Sequence, residues 1–334
     1  MSHKNIALFV AHVGCPHQCS FCNQHIITGK QETATAADVD AAVKTALDSG
    51  CRDGQLAFFG GSFTAIDRPY MMSLLKAAKP HVDAGEISGI RVSTRPDAID
   101  GEILDILKEY GVTAIELGAQ SMSDEVLRKN RRGHTADDVR RASALIKEQG
   151  FELGLQMMTG LLGDTDEGAV FTARELIKLQ PATVRIYPTV VLEHTELARL
   201  YENGEYRPQS LDEAVNLCAR LLLMFEDAGI RVIRLGLHSG GNVEDGYIAG
   251  AYHPAMRELV EGRIYLDKAL EKLRDFEGGD AHRYKIFVNP KEISKMTGQK
   301  RENIVQLKDN NYICNVFPDD GLKKYEILIE EEDK

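Results

Sequence analysis

Three cysteines lie within eight residues of one another near the start of the chain: Cys15, Cys19 and Cys22. Thiolates at this spacing can reach one metal centre from a single loop, and three are one fewer than the four that close a structural zinc or iron–sulfur site. A metal centre held by three thiolates keeps one position for a substrate or cofactor, so the spacing favours catalysis over a structural role. Zinc is an alternative, because histidines nearby could supply a fourth ligand: His12, His17 and His25. We do not expect a disulfide, because no secretory leader is recognised.

The spacing C-x3-C-x2-C, with Phe21 before the third cysteine, resembles the signature of the radical S-adenosylmethionine (SAM) superfamily. The resemblance implies that Cys15, Cys19 and Cys22 hold three irons of a 4Fe–4S cluster and that the fourth iron binds SAM. It also implies a reducing electron donor of the flavodoxin or ferredoxin type. The expected activity is reductive cleavage of SAM to a 5′-deoxyadenosyl radical, which abstracts hydrogen from a substrate that the sequence does not specify.

A repeated pattern of amphipathic helix, glycine and short apolar strand would position these residues. It occurs at residues 103–117, 139–158 and 214–237, and the glycine after each helix supplies a left-handed C-cap. Strands that alternate with helices and are apolar at consecutive positions indicate a parallel sheet covered on both faces. We therefore predict an α/β fold with a complete or partial barrel. The resemblance implies the partial (β/α)6 TIM-like form, with a core barrel at 1–240 and a small C-terminal α+β subdomain at 241–334.

In barrels of this kind the site lies at the C-terminal ends of the strands, and glycine or polar residues follow the predicted strands. Gly60 and Gly61 have no side chains, so their backbone carbonyls can approach an ammonium group closely. The resemblance implies that this turn, with Ser62 where the family usually has an acid, binds the amino group of SAM. Taken alone, these three residues could equally form a plain turn. The other candidates for binding the cofactor are Ser93, Thr94, Arg95, Glu116, Gln120, Arg131, Gln156 (ribose) and Tyr187 (adenine).

These candidates also have structural interpretations. The hydroxyls and guanidinium of residues 93–95 suit a ribose and a carboxylate, but Arg95 could equally be an ion-pair partner. Glu116 could form a structural ion pair inside the barrel. Arg131 and its neighbour Arg132 lie in a cationic run before a helix, where either could reach the SAM carboxylate or face solvent. For Tyr187, core packing is as good an explanation as contact with adenine.

Longer segments resemble the radical domain of the elongator catalytic subunit (elongator/MiaB/NifB-like), a tRNA wobble-uridine modifying enzyme. They are STRPDAID at 93–100, IELGAQSMSDEVL at 115–127, NRRGHT at 130–135 and RIYPTVVLEHTELARLYENGEY at 185–206. The last segment is also similar to oxygen-independent coproporphyrinogen III oxidase. The chain is expected to be too short for the elongator subunit's acetyltransferase domain, and its first two cysteines are one residue closer together than in that subunit. The resemblance implies tRNA wobble-uridine modification as an alternative function.

The composition is that of an ordinary globular protein: 334 residues, 43% hydrophobic and 27% charged. The net charge of −11 argues against a broad nucleic-acid surface but is compatible with a local basic patch. No segment approaches the ~20 apolar residues that cross a bilayer, so we expect a cytoplasmic protein without a membrane partner. The other cysteines are isolated and are expected to be buried hydrophobes, not a second cluster: Cys51, Cys218 and Cys314.

The C-terminal third is predicted to contain strands and short helices in the order β-α-α-β, which resembles the nucleic-acid-binding KH module. The resemblance is incomplete, because Arg301 replaces the second glycine of the loop between the helices. Basic residues are concentrated here: Lys291, Lys295, Lys300, Arg301 and Lys308. Two interpretations remain open, a contact with RNA and a small capping subdomain. A zinc-binding RNA-interaction protein without redox chemistry is the alternative from another functional class.

Overall fold

The structure is a computed structural model that describes residues 5–10, 15, 18–29, 32–237, 243–276 and 283–332. The chain divides into two compact units. Unit 1 comprises residues 1–210 and 224–252, and unit 2 comprises residues 211–223 and 253–334. The domain boundary predicted between residues 240 and 241 lies outside the described residues.

Unit 1 is built on a seven-stranded parallel sheet with the strand order β1-β2-β3-β4-β5-β6-β8. Two further short strands, β7 and β9, pair with each other in an antiparallel ribbon that the sequence did not predict. The strands are β1 (Asn5–Val10), β2 (Gln55–Gly60), β3 (Gly89–Thr94), β4 (Val112–Gln120), β5 (Glu152–Thr159), β6 (Thr183–Pro188), β7 (Val190–Leu192), β8 (Arg231–Leu235) and β9 (Tyr247–Gly250).

Helices connect consecutive strands of this sheet, which curls into a half-barrel and confirms the predicted partial TIM-like fold. They are α1 (Gln24–Thr28), α2 (Ala36–Asp48), α3 (Arg68–Asp83), α4 (Gly101–Glu109), α5 (Asp124–Lys129), α6 (Ala136–Glu148), α7 (Asp166–Lys178), α8 (Glu196–Glu202) and α9 (Leu211–Asp227). Residues 211–223 of α9 belong to unit 2. Local sequence sets where they begin. At α6, for example, the Thr135 side chain accepts from the Asp138 backbone N–H and the Asp138 carboxylate accepts from the Thr135 N–H, which is a capping box.

The sheet is covered on both faces. Leu56, Ala57 and Phe58 are consecutive on β2, and each is at most 1% exposed. Successive side chains of a strand point to opposite faces, so consecutive burial requires a layer on each side. This explains why these strands read as continuous apolar runs in the sequence.

Unit 2 contains a three-stranded sheet in which β10 is central and pairs in parallel with β11 and antiparallel with β12. Its elements are α10 (Met256–Leu273), β10 (Arg283–Val288), α11 (Ile293–Thr297), α12 (Glu302–Asp309), β11 (Ile313–Pro318) and β12 (Leu328–Glu331). The β-α-α-β order matches the prediction for this segment. Lys295 is not a surface cation, because its ammonium pairs with the carboxylates of Glu261 and Glu292.

None of the helices in the described ranges has the length and apolar character required to cross a membrane.

Candidate active site

The cysteine loop follows β1. Cys15 is exposed, Cys19 is buried and Cys22 is half-buried, and the Cys22 backbone N–H donates to the Cys19 carbonyl at 3.1 Å. Burial, followed by the charges of Cys19 and Cys15, raises the pKa of the Cys22 thiol to about 12, and Arg132 opposes this rise. The sulfurs are therefore near enough to influence one another electrostatically.

The described residues contain no group of three or more His, Cys, Asp or Glu side chains that could hold a single metal ion. Of the histidines considered as zinc ligands, His12 and His17 lie outside the described residues, and His25 lies on α1.

Hydrogen bonds fasten the cysteine loop to the connection between β4 and α6. The Ser20 hydroxyl donates to Asn130 Oδ1 at 2.9 Å, and the Ser20 N–H donates to the Asn130 carbonyl at 3.2 Å. Asn130 is fully buried, and its amide also donates to the Val126 carbonyl at 2.8 Å. Phe21 packs against the apolar cluster that contains Val126 and Met158. The loop that carries the thiols is therefore held at the two residues that directly follow Cys19.

Two side chains direct N–H donors at the cysteine sulfurs. Arg132 Nη1 lies 3.2 Å from Cys19 Sγ, and Gln24 Nε2 lies 3.8 Å from Cys15 Sγ. Arg132 is only 7% exposed, and its Nη2 donates to the Gly118 carbonyl at 2.7 Å. Donors of this kind stabilise a thiolate over a thiol, which suits sulfurs that serve as metal ligands.

Sequence reasoning selected Arg131 from the arginine pair, but the structure places Arg132 at the cysteines. The Arg131 side chain is 61% exposed and pairs with Glu196 at 3.2 Å. It lines a surface cleft of about 970 Å³ together with Gln18, Asp124, Glu125, Arg128, Gly133, His134 and Thr135. The assignment of Arg131 to the SAM carboxylate stays a prediction. Arg132 is a site residue that the sequence alone did not distinguish from its neighbour.

The turn after β2 lies beside the cysteine loop. The Ser62 backbone N–H hydrogen-bonds Cys15, and the Gly60 carbonyl accepts from Gln24 Nε2 at 3.5 Å. Gly60 has a φ of 109°, a conformation that glycine adopts readily. The Gly61 N–H donates to the Val10 carbonyl at 3.0 Å, which holds this turn to the end of β1.

The Ser62 hydroxyl is 2.9 Å from the Thr94 hydroxyl and accepts the Arg95 N–H at 3.1 Å. Both side chains are buried, and Thr94 also lies 2.6 Å from the Thr64 hydroxyl. These hydroxyls therefore join the ends of β2 and β3. Because these hydroxyls already bond to one another and to the Arg95 N–H, a ligand would more easily bond to the backbone groups of the glycine turn.

Arg95 is 3% exposed and binds Asp97 through two parallel hydrogen bonds of 2.9 Å. Its Nη2 also donates to the Arg132 carbonyl at 2.6 Å, but Nη1 is buried without a partner in the described part of the chain. An unpaired donor in a buried guanidinium is costly. It is the kind of group that an anionic ligand satisfies.

The barrel interior holds a network of ion pairs around Glu116. This carboxylate, 5% exposed, accepts hydrogen bonds from Arg91 Nη1 at 3.2 Å and from Arg185 Nη2 at 2.9 Å. The Arg185 guanidinium lies 5.0 Å from the centre of the Phe59 ring. Burial by itself would lower the pKa of Arg185. The negative charge of Glu116 has the larger effect and holds this pKa above its ordinary value. Gly154 provides the space, since a Cβ there would lie 2.8 Å from Glu116 Cγ. The contacts with Arg91 and Arg185 are those expected if Glu116 forms a structural ion pair inside the barrel.

The remaining candidates lie on β3 to β6. Gln156 donates to Gln120 at 3.2 Å, and Gln120 has a φ of 63° at the end of β4. Tyr187 hydrogen-bonds Arg185 and packs against the cluster around Met158. Ser93 is half-buried, opposite Glu116 in the register of β3 and β4.

Comparison with known proteins shows the family to which the chain belongs. The Radical SAM superfamily model matches residues 10–176, half of the chain, and the Radical_SAM C-terminal domain model matches residues 181–265. The tRNA uridine(34) acetyltransferase of Methanocaldococcus jannaschii is 30% identical over 183 residues, which cover 49% of this chain and 34% of that protein. Elongator complex protein 3 of Saccharomyces cerevisiae is 33% identical over 139 residues, 41% of this chain and 25% of that protein. The chain therefore spans about a third or less of these relatives.

Among solved structures, archaeal Elp3 of Methanocaldococcus infernus with an N-terminal deletion superposes with a TM-score of 0.63. The match is 21% identical and covers 80% of this chain and 62% of that one, so it supports the fold. The family model spans the three cysteines, which follow the first strand of the half-barrel. The chain belongs to the radical SAM superfamily of enzymes.

Proposed function

We propose that the protein binds a 4Fe–4S cluster through Cys15, Cys19 and Cys22 and uses it to cleave SAM reductively. The observation that carries the proposal is the contact between a buried arginine and the central cysteine, at 3.2 Å between Arg132 Nη1 and Cys19 Sγ. A buried cation beside a thiol is useful when that thiol is held as a thiolate. In a cluster each cysteine binds its own iron, whereas a single zinc needs its ligands to converge on one point.

The residues around the cysteines fit the group chemically. Cys22, with a pKa near 12, is a protonated thiol at neutral pH unless a metal replaces the proton. Arg132 and Gln24 supply N–H donors to two of the sulfurs. When bound, the cluster supplies the electron that cleaves SAM to methionine and a 5′-deoxyadenosyl radical able to abstract hydrogen from a substrate.

The protein's own groups would bind and orient SAM. The Gly60 and Gly61 carbonyls lie next to the cysteine loop and can accept hydrogen bonds from the amino group. The unpaired Nη1 of Arg95 is available to the carboxylate. The other proposed contacts lie on the strands or directly after them, except Arg131, which lies between α5 and α6: Ser62, Ser93, Thr94, Gln120, Arg131, Gln156 and Tyr187. Glu116 would act indirectly, since its two arginine partners occupy its oxygens.

The barrel interior is polar but balanced in charge. Arg91 and Arg185 face the carboxylates of Glu116 and Glu152, which gives two cations and two anions. A balanced network provides fixed dipoles, and exclusion of water from the barrel would protect a reactive radical from side reactions. We propose residues 1–240 as the catalytic domain and 241–334 as an accessory domain.

Anaerobic iron–sulfur reconstitution tests this function. Wild type should become brown and, with SAM and dithionite or a flavodoxin- or ferredoxin-type donor, form 5′-deoxyadenosine. A variant with Cys15, Cys19 and Cys22 replaced by Ala should bind no cluster and form none. Cys51→Ala is the matched control, because it removes an isolated cysteine. Colourless wild type carrying one zinc per chain would refute the proposal in favour of a zinc-binding protein.

Modification of tRNA is a second candidate, favoured by the relatives named tRNA uridine(34) acetyltransferase. The substrate would then be an RNA nucleotide instead of a free small molecule. Unmodified tRNA transcripts should increase the rate of 5′-deoxyadenosine formation in the reconstituted enzyme. If neither tRNA nor bulk cellular RNA changes that rate, RNA is not the substrate.

A further inference from the structure

Arg132 is a buried arginine whose counter-charge differs from that of the other buried arginines. Three arginines in the described part of unit 1 lie buried: Arg91, Arg95 and Arg132. Arg91 pairs with Glu116 at 3.2 Å, and Arg95 binds Asp97 through two parallel hydrogen bonds. Among the residues that the structure describes, Arg132 forms no ion pair with a carboxylate. A buried cation without a counter-charge is costly, so another group must supply the negative charge.

The group that faces the Arg132 guanidinium is the sulfur of Cys19. Arg132 Nη1 lies 3.2 Å from Cys19 Sγ, and Cys19 is only 6% exposed, so both partners are removed from solvent. Nη2 donates to the Gly118 carbonyl at 2.7 Å, and Nε is buried without a partner in the described ranges. Neither a carbonyl nor a neutral thiol cancels a full positive charge. Thiolates bound to a metal centre do carry the negative charge that the guanidinium lacks.

The guanidinium is fixed in place by the tertiary structure. The Arg132 carbonyl accepts from Arg95 Nη2 at 2.6 Å, which anchors its backbone. Gly118 leaves space for the side chain, since a Cβ there would lie 3.3 Å from Arg132 Nη2. The bonds between Ser20 and Asn130 hold the cysteine loop on the other side of the contact. A charge held in this way acts on the sulfur without first having to reorient.

We infer that Arg132 raises the reduction potential of the iron–sulfur cluster. The inference rests on the proposed function and concerns how readily the cluster accepts an electron. Reduction transfers one electron from the flavodoxin- or ferredoxin-type donor and makes the cluster and its thiolates one unit more negative. A fixed cation stabilises the more negative state more strongly, so the potential rises. Arg132 acts through Cys19 and does not touch SAM, which makes it a positioning residue.

Gln24 makes a weaker contact of the same kind. Its Nε2 lies 3.8 Å from Cys15 Sγ, and the donor belongs to a neutral amide. Hydrogen bonds between neutral groups are roughly half as strong as those in which one partner is charged. The effect of Gln24 on the potential should therefore have the same direction as that of Arg132 and a smaller size.

The test is a redox titration of the reconstituted full chain without SAM, followed by electron paramagnetic resonance of the reduced cluster. Arg132→Gln should shift the reduction equilibrium about tenfold toward the oxidised state, which for one electron lowers the midpoint by about 59 mV. Arg132→Lys keeps the charge, so its midpoint should lie between those of wild type and Arg132→Gln. Gln24→Met removes the N–H donor at a similar side-chain length and should lower the midpoint by less than Arg132→Gln does. A midpoint is measured on the molecules that hold a cluster, so partial loss of iron does not obscure it.

Arg131→Gln is the matched control, because it removes a neighbouring cation that is 61% exposed and pairs with Glu196. Its midpoint should equal that of wild type. The inference is overturned if Arg132→Gln has the wild-type midpoint, or if Arg131→Gln lowers the midpoint as far. It is also overturned if Arg132→Gln holds no cluster and Gln24→Met leaves the midpoint unchanged, because the donors then serve only to retain iron.

The inference and the proposed function fail in different ways. Colourless wild type after reconstitution refutes both, since no cluster is then present to be tuned. Wild type that holds a cluster and cleaves SAM, with the same midpoint in every variant, refutes the inference alone. Circular dichroism confirms that each variant is folded.

Discussion

Replacing Arg132 by Gln tests the electrostatic role of a buried cation that contacts a cysteine. At the 3.2 Å that separates Arg132 Nη1 from Cys19 Sγ, two unit charges interact by about 5 kcal/mol at an effective dielectric constant of 20. Loss of solvation reduces the net contribution of a charge-assisted hydrogen bond to about 1.5–3 kcal/mol. That free energy corresponds to a roughly 10- to 150-fold change in an equilibrium constant, in line with the effect of groups that support metal ligands.

We therefore expect Arg132→Gln to weaken retention of the iron–sulfur cluster by one to two orders of magnitude. The assay is iron and acid-labile sulfide per chain after anaerobic reconstitution, followed by titration with a competing chelator. Arg132→Lys keeps the charge and should restore part of the loss. Arg131→Gln is the control next in sequence, and it should resemble wild type because Arg131 is 61% exposed and pairs with Glu196.

Two results would refute this reasoning. If Arg132→Gln retains iron as tightly as wild type against the chelator, the contact with Cys19 has no role in holding the cluster. If Arg131→Gln loses iron to the same extent, the effect comes from the charge of the loop as a whole. Circular dichroism must show that the variants are folded, because Arg132 also donates to the Gly118 carbonyl.

Further predictions concern stability. Glu116→Gln should lower the free energy of unfolding by about 3–5 kcal/mol in urea titrations, because its buried arginine partners lose their counter-charge. Gly154→Ala should cost about 1–3 kcal/mol, since the added Cβ would lie 2.8 Å from Glu116 Cγ; unchanged melting would show that the barrel adapts. Burial lowers the pKa of His81, but hydrogen bonds to Glu86 and Asp40 outweigh it and raise the pKa above 6.5. Its stabilising effect should be complete below pH 6.5 and decline as the pH rises through the folded-state pKa, so the urea midpoint of His81→Gln should respond less to pH in that range.

Much of the fold could be predicted from the sequence, because its determinants are local. The apolar run at residues 55–59 forms a buried strand. Thr135 and Asp138 cap α6, and a cap of this kind can be recognised because its two residues are only three positions apart. The glycine after each helix marks the return to the sheet. The antiparallel pairing of β7 with β9 was missed, since it joins a three-residue strand to one more than fifty residues further along the chain.

The sequence by itself was enough to recognise the three closely spaced cysteines and the alternation of strands and helices. These two features together indicated the superfamily. Only the tertiary structure distinguished Arg132 from Arg131, joined Ser62 to Thr94, and surrounded Glu116 with Arg91 and Arg185. The physical reason is that periodicity and caps depend on neighbours in the chain. Which polar side chain faces a thiol depends on contacts between residues such as Cys19 and Arg132, more than a hundred positions apart.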